Sequence, residues 1–472
     1  MNRPLWTKEE LAQVFAMDAA NLAAASGISI DTRTLKAGDL FIAIRGDKMD
    51  GHDFAAKAQE LGASALLVDH PLPGIAIPQI VVSETLEGLR RLATFARERN
   101  PAQRIAVTGS VGKTGTKEML SLILSRLAPT HATQGNLNNH YGLPLTLARL
   151  PALSAYAVLE MGMNHAGELA PLSQLARPHI AIITTVEPVH IEFFPTLSDV
   201  AEAKAEIFAG LMPNGVAILN RDNAFFGLLS RRAREKGARV VSFGRHIESE
   251  FRLLYSEIVG SSTEILALAG ERPLAYRVGI AGHHWGLNSL AALAGAASAG
   301  VDVGAAAAAL SALTPPKGRG ARRLAVSPDG GTFELIDESY NASPASMQAA
   351  IITLAEIGLS GKGRRIAVLG DMLELGAQGP ALHRGLRDVL EQAGIDRVFT
   401  AGPLMEQLFE SLPQAMRGGH AASSAELAPL VAAQVRENDV VMVKGSAGSR
   451  MGRVVDALSA VPEAQSCAAN GQ

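Results

Sequence analysis

Two hydrophobic patterns alternate along this chain. One is a short, continuous apolar run; the other places apolar residues every three or four positions. The first is the mark of a buried strand and the second of a helix with one buried face. Residues 84–99 show the helical pattern, with Leu86, Leu89, Leu92 and Ala96 on one stripe. Residues 104–108 then predict a strand, followed at once by a glycine loop and another helix. Further strands are predicted at 155–159, 180–184, 216–219 and 240–243. Strands without a polar face, separated by helices, indicate a mostly parallel sheet covered on both sides. Residues 251–278 alternate more like surface strands and predict a small side sheet.

The two ends have a different texture. Near the start, Thr7 and Glu10 have the spacing of a capping box that opens a helix. A strand-like run at 40–44 follows the turn Lys36-Ala37-Gly38-Asp39, then come a helix at 55–61 and a strand at 65–68. Pro71, Pro73, Gly74 and Pro78 break the pattern before a last strand around 80–82. Pro315-Pro316 marks a second boundary. Beyond it, strands near 333–336, 366–369, 398–400 and 440–443 alternate with helices, a second and smaller doubly wound pattern. The expected fold is α/β with three domains: a small mixed α/β module (1–83), a central doubly wound domain carrying the glycine loop (84–315) and a C-terminal Rossmann-like domain (316–472). The length of 472 residues fits that division at roughly 150 residues per domain.

Composition narrows the function classes. Hydrophobic residues at 47% and charged residues at 19% exclude wholesale disorder. A net charge of -3 and 4% aromatics lack the footprint of a nucleic-acid binder, so no such partner is expected. A single cysteine, Cys467, allows no disulfide within the chain and no cysteine metal site. The longest apolar stretch, 290–313, is alanine and glycine with Gly300 and Asp302 inside it, which predicts two packed helices rather than a membrane span. The N-terminus lacks the apolar core of a signal peptide, and the expected location is the cytoplasm.

The strongest chemical signal is Thr108-Gly109-Ser110-Val111-Gly112-Lys113-Thr114, between a predicted strand and a predicted helix. Backbone N–H groups in such a loop, with the helix N-terminus behind them, cradle phosphate. Lys113 would neutralise the outer phosphates and the Thr114 hydroxyl would bind Mg²⁺. Val107 stands where the full phosphate-loop motif has its first glycine. Glu160 closes the strand 155–159 on the same sheet rim and is a candidate Mg²⁺ ligand. His190, after the strand 180–184, can reach that rim. The amide-rich loop Gly135-Asn136-Leu137-Asn138-Asn139 can hydrogen-bond phosphate oxygens or water.

These pieces together resemble the Mur ligases, ATP-dependent amide-bond formers of peptidoglycan synthesis, over nearly the whole chain. The shortened cradle is that family's form of the loop. Ala203-Lys204-Ala205-Glu206-Ile207-Phe208 is similar to the segment carrying the family's carbamylated lysine, which would be Lys204. A simple helix ion pair to Glu202 or Glu206 is the alternative, although neither lies three or four residues away. Gly282-His283-His284-Trp285-Gly286-Leu287-Asn288 is similar to the adenine-contacting segment, with Trp285 in place of an Asn and Asn288 matching the second Asn. The segments 135–139, 337–342, 370–376 and 443–446 are similar to the branch that joins D-alanyl-D-alanine to UDP-N-acetylmuramoyl-tripeptide. In that branch Glu338 replaces an Asp and Ala447 an Arg.

The resemblance implies ATP, two Mg²⁺ sites and two small-molecule substrates, with the protein a monomer. It implies Lys113, Lys204, Glu160 and His190 as the catalytic set, and Thr114, Glu160, His190 and the Lys204 carbamate as metal ligands. ATP would be held by Thr108 to Thr114, Asn139, Asn288 and Glu338. Arg319, Arg322 or Arg323 would reach the γ-phosphate; residues 317–323 allow several placements. Asp31, Thr32, Arg33 and Gly46 would contact the uridine nucleotide, and Asn341, Lys444 and Ser446 the dipeptide. The Asp-Asn-Pro-Arg motif of the diaminopimelate-adding relatives is absent, while a lysine-adding relative stays open. A folylpolyglutamate synthase would leave the N-terminal module unexplained. A nucleotide switch would leave Glu160, His190 and Lys204 unexplained.

Overall fold

The computed structural model describes residues 4–46, 49–188 and 191–459. Its strands form three sheets. The first contains β1 (Gly27–Ser29), β2 (Asp39–Ile42), β3 (Ala65–Val68) and β4 (Gln79–Val81), all parallel and in chain order. The second contains β5 (Gln103–Thr108), β6 (Thr130–Ala132), β7 (Tyr156–Glu160), β8 (Ile180–Ile183), β9 (Val216–Asn220), β10 (Arg239–Gly244), β11 (Phe251–Val259), β12 (Ser262–Ala269) and β13 (Arg272–Val278). The third contains β14 (Ala321–Val326), β15 (Thr332–Glu338), β16 (Arg365–Gly370), β17 (Arg397–Ala401), β18 (Arg417–Ala421) and β19 (Val440–Lys444). The three-domain α/β architecture expected from the sequence is the one observed.

Order within the central sheet positions the site. It runs β13-β12-β11-β10-β9-β8-β5-β7-β6. The chain leaves β5, crosses to one side for β6 and β7, then returns to the other side for β8. The C-terminal end of β5 is therefore a switch point, where a crevice opens between diverging connections. Core residues lie on both faces of this sheet, as continuous apolar strands require. In the C-terminal sheet the order β14-β15-β19-β16-β17-β18 inserts the last strand between β15 and β16. That puts the ends of β15 and β19 side by side, with Glu338 opposite Lys444.

Residues 251–278 do not form a separate side sheet. β11 pairs with β10 through Phe243–Phe251 and Gly244–Arg252, and the antiparallel β11-β12-β13 meander extends the central sheet. β11 starts beside the end of β10 and runs on in the same direction, so the short link 245–250 needs no helix. A second difference is β14, which lies within a stretch whose basic residues hid its strand pattern. It is an edge strand, and Arg322, Arg323 and Leu324 on it are exposed or half-buried. Charge on an edge discourages pairing with other chains.

The first two domains share a core. The predicted helix is Thr85–Glu98, capped by the Glu84 carboxylate. Its Leu89, Leu92 and Ala96 pack with Leu40, Ile42 and Leu67 of the first sheet, while Ala93 joins the core under the central sheet. The capping box at Thr7 and Glu10 is present. Just before it, Trp6 is fully buried, donates from Nε1 to the Ala148 carbonyl at 2.9 Å and lies under the Arg99 guanidinium at 4.1 Å. Residues 290–313 are two helices as expected, His284–Ser298 and Val303–Ala309. Among the described residues, no helix is long and apolar enough to cross a membrane.

Trp6→Ala removes a large buried ring and its hydrogen bond together. It should destabilise the N-terminal module by about 3–5 kcal/mol, measured by urea unfolding followed by far-ultraviolet circular dichroism.

Candidate active site

The cradle is built by sterics before any ligand arrives. β5 ends at Thr108 and a helix, Lys113–Ser125, starts at Lys113. Between them Gly109 has φ +145°, and a Cβ there would lie 1.9 Å from the Thr184 hydroxyl oxygen. Gly112 has φ +86°, and its Cβ would lie 2.5 Å from Asn288 Oδ1. Only glycine fits either position. The Thr184 hydroxyl donates to the Val111 carbonyl, and Ser110 N–H to the Thr185 carbonyl at 2.9 Å. The segment after β8 thus clamps the loop, with the Ser110 hydroxyl donating to the Glu187 carbonyl at 3.0 Å. His190, predicted on this segment, lies outside the described residues.

Lys113 folds back over its own loop, donating to the Gly109 carbonyl at 2.6 Å and the Ser110 carbonyl at 3.4 Å. Burial pulls its ammonium below the ordinary lysine range; the Glu160 carboxylate raises it and Arg319 lowers it further. Glu160 ends β7 in register with Val107 and is 2% exposed. Its Oε1 accepts from Asn138 Nδ2 at 2.8 Å, while Oε2 is buried with no partner. An orphaned buried carboxylate oxygen beside a phosphate cradle fits a cation ligand, because leaving it bare costs free energy. Asn138 is a site residue that the sequence reading did not separate from its neighbour. Asn139 instead caps the helix Gly142–Ala148, accepting from Gly142 N–H at 2.9 Å.

Lys204 lies on the helix Leu197–Ala205 and is 2% exposed. Burial pulls its ammonium well below the ordinary range, and Lys113 adds repulsion. The two flanking acids are engaged elsewhere: Glu202 with Arg232, and Glu206 on the N–H groups of Gly167, Leu169 and Ala170. The simple helix ion pair is therefore not what holds Lys204.

The C-terminal domain closes the crevice from the other side. Lys444 Nζ donates to the Asn341 carbonyl at 3.0 Å and to Glu338 at 3.3 Å. His284, at the start of its helix, lies within electrostatic reach of both Glu338 and Lys444. His283 bridges the two domains, with Nε2 2.8 Å from Glu356 and Nδ1 2.9 Å from the Ser256 hydroxyl. Trp285 is a core residue: its ring backs onto Gly115, where a Cβ would lie 2.6 Å away. Asn288 lies against Gly112 of the cradle.

The arginines separate clearly. Arg319 acts electrostatically on Lys113 and on Lys444. Arg322 turns away, paired with Glu334 and donating to the Gly260 carbonyl at 2.8 Å. Arg323 is exposed on the edge strand. Ser446 is used structurally, accepting from Leu373 N–H at 3.0 Å, while the Asn341 side chain accepts from Ala342 N–H. In the N-terminal module Asp31 and Arg33 pair with each other at 2.6 Å, with Thr32 between them, and Gly46 N–H donates to the Met49 carbonyl at 2.9 Å. His52, Asp69 and His70 gather within ligand distance there. However, Arg45 lies against Asp69 and Asp50, and both His52 ring nitrogens are engaged, so this is an ion-pair knot.

Likenesses to known proteins cover all three sheets. Residues 24–97 match the Mur ligase family, catalytic domain; residues 107–296 match the Mur ligase middle domain; residues 322–447 match the Mur ligase, glutamate ligase domain. The chain is 38% identical over 434 residues to the UDP-N-acetylmuramoyl-tripeptide–D-alanyl-D-alanine ligase of Escherichia coli, covering 91% of this chain and 93% of that protein. It is 35% identical to the ligase of the same name from Bacillus subtilis, covering 92% and 93%. Among solved structures, that of MurF from Acinetobacter baumannii superposes with a TM-score of 0.83 at 31% identity, covering 97% of this chain and all of that one. MurF from Thermotoga maritima in complex with ADP gives 0.74 at 27%, covering 92% and 97%. A mutant of L. casei FPGS shares the fold alone, with a TM-score of 0.54 at 13% identity, covering 79% of this chain and 93% of that one.

Burial holds the His284 imidazole down at about 4, with its Nδ1 buried and unpartnered. Its folded value lies below its unfolded value of 6.5, so the unfolded chain takes up the proton first as pH falls. Stability from this group is whole above pH 6.5 and lost progressively toward pH 4, amounting to about 2 kcal/mol by pH 5. His284→Gln should flatten this acid limb, measured as the urea midpoint of each protein across that window.

Proposed function

The chain belongs to the Mur ligase family, and from that premise we infer its reaction. It joins D-alanyl-D-alanine to UDP-N-acetylmuramoyl-tripeptide, giving UDP-N-acetylmuramoyl-pentapeptide, ADP and phosphate. What carries this reading is that the likeness to ligases of this one activity runs through all three domains, not the nucleotide-binding centre alone. That extent argues against a nucleotide switch, and identity argues against the earlier, amino-acid-adding step: a ligase of that step covers 97% of the chain at only 19% identity, against 38% for the D-alanyl-D-alanine ligase of Escherichia coli.

The reaction needs a carboxylate to become an electrophile. ATP converts it to an acyl phosphate, and the incoming amine then displaces phosphate through a tetrahedral intermediate. Negative charge must be met by groups already in place when the phosphoryl group moves. In this reading Lys113 exchanges its two loop carbonyls for phosphate oxygens, and the cradle N–H groups hold the chain of phosphates. Arg319 approaches from the C-terminal domain. Closure of that domain excludes water, which would otherwise hydrolyse the acyl phosphate.

Thr114, Glu160 and His190 would hold Mg²⁺, the Glu160 Oε2 atom being the buried oxygen that fits it best. Bound Mg²⁺ supplies electrostatic stabilisation of the phosphate oxygens. Lys204 is suited to carbamylation: its depressed basicity supplies the neutral amine that reacts with carbon dioxide, and the product replaces a repelled cation by an anion. Asn288 flanks the nucleotide side, which Asn139 supports from its helix cap, and Asp31, Thr32, Arg33 and Gly46 flank the uridine side. Lys444, with Asn341 and Ser446, lies on the dipeptide side, and Glu338 beside Lys444 is assigned to ATP. Domain limits of 1–83, 84–315 and 316–472, a monomeric state, a cytoplasmic location and the absence of a nucleic-acid partner complete the proposal.

Phosphate release from Mg-ATP should require both the tripeptide nucleotide and D-alanyl-D-alanine, with the pentapeptide product seen by mass spectrometry. Release with UDP-muramoyl-dipeptide and a free diamino acid would move the assignment one step earlier. Lys113→Ala should lower kcat by at least about 100-fold while the thermal melt stays in place. Undiminished turnover would sink the assignment of the cradle.

A further inference from the structure

Arg319 is held in an unusual way for a residue at a domain junction. Its guanidinium carbon sits 4.5 Å from the centroid of the Tyr340 ring. The two residues come from different segments that the backbone ties together. Tyr340 N–H donates to the Gly318 carbonyl at 3.2 Å, and Gly320 N–H to the Asp337 carbonyl at 2.8 Å. Gly318 has φ +72°, and a Cβ there would lie 2.9 Å from Tyr340 Cβ; Gly320 has φ +90°. The turn carrying Arg319 is thus pressed flat against the end of β15, where only glycine permits the approach.

Tyr340 itself is 36% exposed, so its ring is not a core residue. It covers the guanidinium and faces across the crevice. Burial raises its phenol, Arg319 lowers it by its charge and a hydrogen bond, and the Glu160 carboxylate of the central domain raises it, so the phenol lies within electrostatic reach of both charges.

We propose that Tyr340 is a positioning residue, whose ring holds the Arg319 guanidinium toward the phosphate cradle before ATP binds. The proposal rests on Arg319 facing the transferring phosphate. A free arginine must give up rotamer freedom to meet an anion, and a ring that already orients it removes part of that cost. An aromatic face attracts the cation without neutralising it, so the full charge remains available to the phosphate. A carboxylate partner would spend that charge in an ion pair, as Glu334 does with Arg322.

The test is a set of four forms, wild type, Tyr340→Ala, Arg319→Ala and the double variant, with Tyr340→Phe beside them. Steady-state kinetics would be run with varied ATP, and thermal melts would check each fold. Tyr340→Ala should lower kcat about tenfold, with KM for ATP moving less than about threefold. Tyr340→Phe keeps the ring and should recover turnover to within about threefold. Added to Arg319→Ala, the Tyr340→Ala change should make less than about a twofold difference, because the group it positions is gone. If Arg319→Ala alone is as fast as wild type, the phosphate-facing reading of Arg319 fails. If Arg319→Ala is slow while Tyr340→Ala is fast, only the positioning role fails. A further tenfold loss in the double variant would mean that Tyr340 acts on substrate directly, and overturns the proposal. So would a Tyr340→Phe as slow as Tyr340→Ala.

Discussion

A buried lysine and a half-buried one crowd the rim of one sheet, and much of the rest follows from that crowding. Lys204 lies close enough to feel the charge of Lys113, inside a crevice whose desolvation lowers the basicity of both. Glu160 is the acid that raises Lys113, and half of its carboxylate is already committed to Asn138. Such a place is short of negative charge. A phosphate chain or a carbamate relieves the shortage, and a cation can then settle against the bare Glu160 oxygen. The affinity for anions is therefore a property of the empty fold, set by burial rather than by an excess of basic residues over the surface.

The site is also divided between bodies. The cradle, Glu160 and Lys204 belong to the central sheet, whereas Arg319, Glu338 and Lys444 stand at the strand ends of the C-terminal sheet. The cradle, Glu160, Glu338 and Lys444 lie at C-terminal strand ends, where parallel sheets open crevices, while Lys204 comes from a helix and Arg319 from the turn before β14. The domains meet through few directed contacts, among them His283 to Glu356 and Arg322 to the Gly260 carbonyl. An arrangement of this kind can assemble its cations around ATP and let products leave by opening again.

Much of this was legible in the sequence because the central domain obeys simple rules. β3 was predicted to the residue, and β5 and β7 within one residue at each end, since fully buried parallel strands leave an unbroken apolar run. The cradle was legible because Gly109 and Gly112 combine positive φ with no room for a Cβ. What remained hidden depended on tertiary geometry. β14 carries its arginines on an exposed edge, so no apolar run marked it as a strand. The β11-β12-β13 meander looked independent because two residue pairs alone join it to the sheet. Asn138 and Asn139 are adjacent in the chain, and only the fold sends one to Glu160 and the other to a helix cap. Arg319 and Arg322 are equally basic; the pairing of β14 with β15 brings Glu334 to one of them and not the other.

The shared core between the first two domains has a consequence for what the protein can accept. Trp6 on Ala148, Arg149 on the Ile28 carbonyl and the helix Thr85–Glu98 weld the N-terminal module to the central sheet. The span from the Asp31–Arg33 corner to the phosphate cradle is then a constant of the molecule. In the proposed reading, a long substrate gripped at that corner presents its reacting carboxylate at a fixed reach, so the welded pair works as a caliper that gauges how far a substrate extends.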